Sequence, residues 1–357
     1  MEIYNDPYLG QMIRGYRLEE RLGQSNVTRL YRAQTRDPWQ TPRLSFMLLP
    51  LSHTLSEPAR ERFLTRFFNE AKRCVKLRHS ALFPLFGYGL QKDYCYLILP
   101  DIVGGTLAFH LKRQIRWNPS DIPHILTPVA HALDYMHGQG LVYEYLNPSN
   151  IFLSDRQPPC VLGVRLEHIL CQAGLGDEHE REDAPLRNIA GTPLGLAEYL
   201  APEVIKGGPI DARADVYTLG ILLFELLSGR PPYRGSSHTE TAYLHLQGPL
   251  PSLHSIVPDI PPGLEIVVDR ALHYNPQCRF STPGELIQAY ERALNKYQQT
   301  EQAVRHEQSG KLTPLMPFPP IPLERKQAIE TMVQEIHQRI EKILASQLEK
   351  KAYEIDC

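Results

Sequence analysis

Lysine is missing from the start of this chain of 357 residues: the first is Lys72, although arginine recurs throughout that stretch. Chemistry that needs a lysine in the N-terminal region is therefore excluded. Long apolar runs are also missing. The longest, Leu219 to Leu227, is broken by Glu225 and is too short to span a bilayer. The opening Met1-Glu2-Ile3-Tyr4-Asn5-Asp6 lacks the basic and apolar stretches of a leader. Neither charge is in excess. A formal net charge of −2 gives no electrostatic reason to expect nucleic acid or a membrane as partner. Paired cysteines are absent as well. Cys74, Cys95, Cys160, Cys171, Cys278 and Cys357 are scattered, with no C-x-x-C and no histidine at metal spacing. That pattern reads as free thiols in a reducing, cytoplasmic setting. What is present is an apolar fraction of 42%, enough for a core. The length suits one large two-lobed domain plus an extension.

Pattern along the chain divides it. Residues 1–15 read as an N-terminal extension. Residues 16–103 read as a small β-rich lobe with strands at Tyr16-Arg17-Leu18, Arg29 to Ala33, Leu44 to Leu49 and Tyr94 to Leu99. One helix interrupts them over Glu57 to Leu77, with Phe63, Phe67 and Ala71 at helical spacing and Pro58 in its first turn. Residues 104–296 read as a larger helical lobe, with helices over Pro119 to Gly138 and Tyr217 to Ser228. The second is the most apolar and so the buried centre. Residues 282–306 read as an amphipathic helix closing that lobe. Residues 297–323 read as a linker, with five prolines in 313–323 stiffening it. Residues 324–357 read as a separate helix. There Ile329, Val333, Ile336, Ile340 and Ile343 alternate steps of four and three, a coiled-coil stripe.

Two blocks carry specific spacing. One is Val142-Tyr143-Glu144-Tyr145-Leu146-Asn147-Pro148-Ser149-Asn150-Ile151-Phe152-Leu153. The other is Asp211-Ala212-Arg213-Ala214-Asp215-Val216-Tyr217-Thr218-Leu219-Gly220, followed by Ser228-Gly229-Arg230-Pro231-Pro232-Tyr233. Tyr199-Leu200-Ala201-Pro202-Glu203 lies between them, and Asn275-Pro276-Gln277-Cys278-Arg279 follows. In this order and spacing, residues 16–296 resemble the protein kinase family, most of all the bacterial eukaryotic-like (Hanks-type) Ser/Thr kinases. The resemblance implies an α+β, bilobal protein kinase-like fold with a small β-rich N-lobe, a larger helical C-lobe and an added C-terminal helix. It also implies that Asp215 anchors the catalytic-loop backbone and that Glu203 and Arg279 form a buried ion pair.

The same alignment shows where this chain departs from the family. The phosphate-binding loop keeps one glycine, Gly23, with Ser25 and Thr28 in the places of two others. The strand lysine that grips the phosphates is Met47, and no earlier lysine exists to replace it. Tyr145 stands where an aspartate accepts the substrate proton, and Val164 where an aspartate binds Mg²⁺. Valine has no oxygen for a hard cation. Glu70, the helix glutamate that pairs with the lysine, and Asn150, the second Mg²⁺ ligand, are retained. Glu144 replaces an arginine that would hold an activation-loop phosphate.

These replacements lead the expectation for function to a pseudokinase: a kinase-fold scaffold or regulatory interaction protein without phosphoryl transfer. Two alternatives stay open, a divergent Ser/Thr kinase with residual activity and a module binding a nucleotide or other ligand in the degenerate cleft. No cofactor and no metal are expected, and Mg²⁺ least of all, with metal-independent nucleotide binding left open. A candidate adenine pocket comprises Gly23, Leu30, Ser45, Leu99, Pro100, Ile102 and Phe152, and the Pro100 carbonyl and Ile102 N–H would meet the ring. The partners expected are proteins, met through the 324–357 helix or the kinase-fold surface, with homodimerisation and packing onto its own domain both open. Arg165 takes the place of a phenylalanine in an apolar column with Leu85, Cys74 and Tyr143. A guanidinium there needs a partner; the resemblance makes Glu70 the nearest carboxylate, and the alternative that Arg165 swings out to solvent in a loosened loop stays open.

Overall fold

In a computed structural model, the described residues are 6–24, 28–35, 43–51, 56–113, 116–155, 157–166 and 197–310. Ser25 of the phosphate loop, Cys171, Cys357, the 313–323 proline segment and the whole 324–357 helix lie outside them. Contacts group the chain into two compact units, Met1–Gln298 and Gln299–Cys357.

The first unit begins with a six-stranded antiparallel sheet. Its strands are β1 (Met12–Ile13), β2 (Tyr16–Gln24), β3 (Arg29–Thr35), β4 (Leu44–Pro50), β6 (Gly87–Gln91) and β7 (Tyr94–Pro100), in the order β1-β2-β3-β4-β7-β6. Strand alternation gives the sheet two apolar faces. Met47, Leu49, Cys95, Leu97 and Leu99 face the main core, while Leu44, Phe46, Leu48, Tyr94 and Tyr96 form a second core with Tyr31 on the other side. Ile13 and Tyr8 cover that second face, and the Tyr8 ring meets Tyr94 edge-on at 5.3 Å. The described part of the expected 1–15 extension is thus built into the sheet. Asp6 fastens it by accepting from the Tyr31 hydroxyl at 2.9 Å.

Helix α1 (Glu57–Cys74) packs Phe63, Phe67, Ala71 and Cys74 against the main core. After it come β5 (Leu82–Phe83), β8 (Gly105–Thr106), β9 (Ile151–Ser154) and β10 (Gln157–Leu162), which form a second sheet ordered β5-β10-β9-β8. Helix α2 (Leu107–Leu111) is capped by Thr106, whose side chain accepts from Phe109 N–H. Helix α3 (Ile122–Gly138) starts later than the pattern from Pro119 suggests, because Asn118 to Asp121 close a turn first, Asp121 N–H donating to Asn118 C=O at 2.9 Å.

The helical part continues with α4 (Pro202–Lys206), α5 (Ala212–Ser228), α6 (His238–Gln247), α7 (Leu253–Ile256), α8 (Pro262–Ala271) and α9 (Pro283–Gly310). Helix α5 is buried from Ala214 to Leu227, as its composition predicts. Asp211 caps its start, and Gly229, at φ 84°, closes its end in a left-handed turn. No described helix is long and apolar enough to cross a membrane.

One ion pair fastens the helical part. The Arg279 guanidinium donates to both Glu203 carboxylate oxygens, at 2.6 and 2.9 Å, and to the carbonyls of His273, Arg213 and Tyr274. It also lies 4.7 Å from the Tyr217 ring centroid. Removing one side of such a pair strands a buried charge and costs roughly 3–5 kcal/mol. Arg279→Ala should therefore lower the melting temperature clearly, while Arg213→Ala, which removes an exposed pair with Asp211, should shift it little. Equal shifts in differential scanning fluorimetry would contradict this assignment. His245 is buried between the Tyr217 hydroxyl, 2.9 Å from its Nδ1, and the Tyr233 ring. Burial pushes its pKa down to about 4. The unfolded chain, titrating at about 6.5, takes up the proton first. Stability is therefore present above about pH 6.5 and is lost as the pH falls towards 4. Melting curves of His245→Gln should show a shallower acid dependence in that window than the parent.

Candidate functional site

The site is built where the sheet, α1 and the loop before β9 meet. Asp215, fully buried in the first turn of α5, organises that loop. Its carboxylate accepts from the Tyr143 and Glu144 N–H groups, both at 2.8 Å, and His137 Nε2 lies 2.6 Å away. The loop turns sharply at Glu144, whose φ of 69° is unusual for a side chain with a Cβ. Tyr143, fully buried, donates its hydroxyl to the Leu162 carbonyl at 3.0 Å. Asn147 stands where the family pattern has a lysine. Its amide donates to Tyr145 C=O and accepts from Ser149 N–H, so it serves the loop's own geometry.

Arg165 joins this loop to α1. Its Nε and one terminal nitrogen donate to the two oxygens of Glu70, at 2.7 and 2.8 Å, a bidentate fork. The other terminal nitrogen donates to the Val142 carbonyl at 2.5 Å and lies 3.6 Å from a Glu144 oxygen. The Cys74 thiol donates to Glu70 as well, at 3.5 Å. Burial works against the Arg165 cation, but the Glu70 bond and the charges of Glu70 and Glu144 outweigh it and raise its pKa. Burial and the Glu70 charge push the Cys74 thiol up. Leu85, Cys74 and Tyr143 are buried in the main core, and Arg165, itself buried, interacts there with Cys74. The part played by Glu144 and by Val142 C=O is not readable from the sequence, because it depends on the left-handed turn at Glu144.

The three replaced chemical positions all belong to the main core. Met47 and Tyr145 are each 6% exposed, and Val164 is fully buried. Tyr145 lies with Leu146, Asn147, Tyr199 and Leu200 around a small surface dimple. Asn150 is buried in the short helical turn Pro148–Asn150 ahead of β9. Of the adenine-pocket residues, Leu99, Ile102, Phe152 and Ser45 are buried, while Gly23, Leu30 and Pro100 are half-buried at the strand ends. The sheet sets Leu30 opposite Met47, and Ser45 opposite Leu99.

The Arg165–Glu70 fork makes a quantitative expectation. A double-mutant cycle on stability with Glu70→Ala and Arg165→Ala should give a coupling of about 1 kcal/mol or more. Coupling near zero would mean the fork does not hold α1.

Comparison with known proteins places this geometry. The protein kinase domain family matches residues 51–291. Serine/threonine-protein kinase PknL of Mycobacterium tuberculosis (strain ATCC 25618 / H37Rv) is 31% identical over 221 residues, 62% of this chain and 52% of that protein. Serine/threonine-protein kinase PknH of the same strain is 29% identical over 318 residues, 88% of this chain and 48% of that protein. The chain thus spans about half the length of these relatives. The crystal structure of the Mycobacterium tuberculosis PknI kinase domain superposes with a TM-score of 0.59 at 24% identity, covering 80% of this chain and 98% of that one, and speaks to the fold. These relatives overturn one expectation. A chain with no cofactor is not what they support, since protein kinases hold ATP with Mg²⁺ and that pair is what the family implies. The described side chains fit it incompletely: Asn150 keeps a ligand position, while Met47 offers no cation and Val164 no oxygen. On the match across most of its length, the chain belongs to the protein kinase family, in its bacterial Hanks-type branch.

Proposed function

We propose that this chain is a pseudokinase, a protein kinase-fold scaffold or regulatory interaction protein that does not catalyse phosphoryl transfer. One observation carries the reading. The places where transfer needs a phosphate-gripping lysine, a proton-accepting aspartate and a metal-binding aspartate hold Met47, Tyr145 and Val164, all packed in the core. Loss of a general base alone costs on the order of 10²–10⁴ in rate, and here it coincides with loss of the other two groups. Glu70, left without its lysine, has taken Arg165 as partner. The function then resides in what the fold binds. Protein partners would meet the kinase-fold surface or the isoleucine stripe of 324–357, and that stripe also suits a homodimer.

A second reading, a divergent Ser/Thr kinase with weak residual activity, draws on the retained Asn150 and on relatives whose names are those of Ser/Thr kinases. Transfer of radiolabelled phosphate from ATP separates the two. With Mg²⁺ or Mn²⁺ and generic protein substrates, the pseudokinase reading predicts incorporation equal to a protein-free blank. Stoichiometric autophosphorylation that Asn150→Ala abolishes would overturn it.

A further inference from the structure

In the connector between the lobes, Asp101 to Val103, both backbone groups of Ile102 and the Asp101 carboxylate are already engaged within the fold. Ile102 N–H donates to the Ser45 hydroxyl oxygen at 3.0 Å, in a buried position. Ser45 is fully buried, so no water competes for that oxygen. The Ile102 carbonyl accepts from Arg32 at 3.4 Å, and Arg32 Nε donates to the Asp101 carboxylate at 2.9 Å. Arg32 also pairs with Glu20, which extends the chain of contacts back to β2. The exit from the connector is fixed too. Gly104 has a φ of 97°, and a Cβ there would come within 2.1 Å of the Leu153 carbonyl oxygen. Ile102 N–H is thus already bonded within the fold.

Ile102 N–H is the group that would meet the ring acceptor of adenine. In this fold that bond must be exchanged for the one to Ser45 rather than added. The displaced hydroxyl would be left in a dry strand, where an unmet polar group is costly. A ring that needs only an acceptor from the connector does not have to break the Ile102–Ser45 bond.

We propose that Ser45 is a specificity-determining residue of this cleft: its hydroxyl masks the Ile102 N–H and removes the advantage adenine has over planar rings that present a donor without an adjacent acceptor. This inference does not depend on whether the chain transfers phosphate. It concerns only the ring, and the test leaves phosphate and metal out.

Adenosine and 1-deazaadenosine share the exocyclic amino donor, but only adenosine has the ring nitrogen that accepts from Ile102 N–H. Isothermal titration of the full chain should find the two binding within about twofold of each other, because a masked donor gives an exchanged bond no net gain. Ser45→Ala frees the donor and should tighten adenosine by about three- to tenfold, the worth of one ordinary hydrogen bond, with 1-deazaadenosine unchanged. A parent chain that prefers adenosine by about tenfold would overturn the proposal, and this comparison needs no variant. So would equal tightening of both rings by Ser45→Ala, which is an effect of size. Absence of adenosine binding to both parent and variant would overturn it too.

Discussion

Glu70 and Arg165 hold the two parts of the fold together. Glu70 projects from α1, and Arg165 follows β10, ninety-five residues further on. Their fork is nearly dry, and burying both charges would be unfavourable if any donor were left unmet. None of the three guanidinium nitrogens is: two serve Glu70, and the third serves Val142 C=O beside Glu144. Because Val142 and Glu144 belong to the loop that Asp215 fastens to α5, the chain of contacts runs from α1 to the most buried helix. The position of α1 is thus supported by the protein's own side chains, with Arg165 as the cation that Glu70 meets.

On the proposed reading, this explains which family features survive. Asp215, Glu203 and Arg279 stabilise backbone turns and helix ends, and each makes several short hydrogen bonds. Losing Glu203 or Arg279 would strand a buried charge, and losing Asp215 would strand two backbone N–H groups. Charges that serve only phosphate and metal have no such partner inside the protein, and their burial is a cost that apolar side chains avoid. Met47 and Val164 pack into the core at those places, and Tyr145 adds its ring. The relatives' names point to ATP chemistry, while these side chains point to a fold maintained for contact.

The sequence disclosed the scaffold well because its motifs are defined by fixed spacing. The Glu203–Arg279 pair and the anchoring of the loop by Asp215 are expected from the resemblance those motifs carry, and the structure shows both. The Glu70–Arg165 fork is one of two outcomes the sequence leaves open for a guanidinium in an apolar column, the other being exposure to solvent, and the structure shows the fork. Three features were hidden for physical reasons. Glu144 reaches Arg165 only because its backbone turns left-handed, which no propensity favours for glutamate. Ser45 meets Ile102 across fifty-seven residues, at a distance set by the bend after β7. The residues before Tyr16 join the sheet because Tyr8 and Ile13 cover an aromatic face that strand alternation creates but does not announce as buried.

The central claim is that the Arg165–Glu70 fork, added to the apolar packing of Phe63, Phe67, Ala71 and Cys74, holds the C-terminal half of α1 in place. Hydrogen–deuterium exchange of the ligand-free chain tests it directly, read on peptides covering residues 63–74 in the parent and in Arg165→Met. The account predicts protection of that stretch in the parent and markedly faster exchange there in the variant, with α5 protected in both. Fast exchange of residues 63–74 in the parent, or protection that survives the substitution, would contradict it.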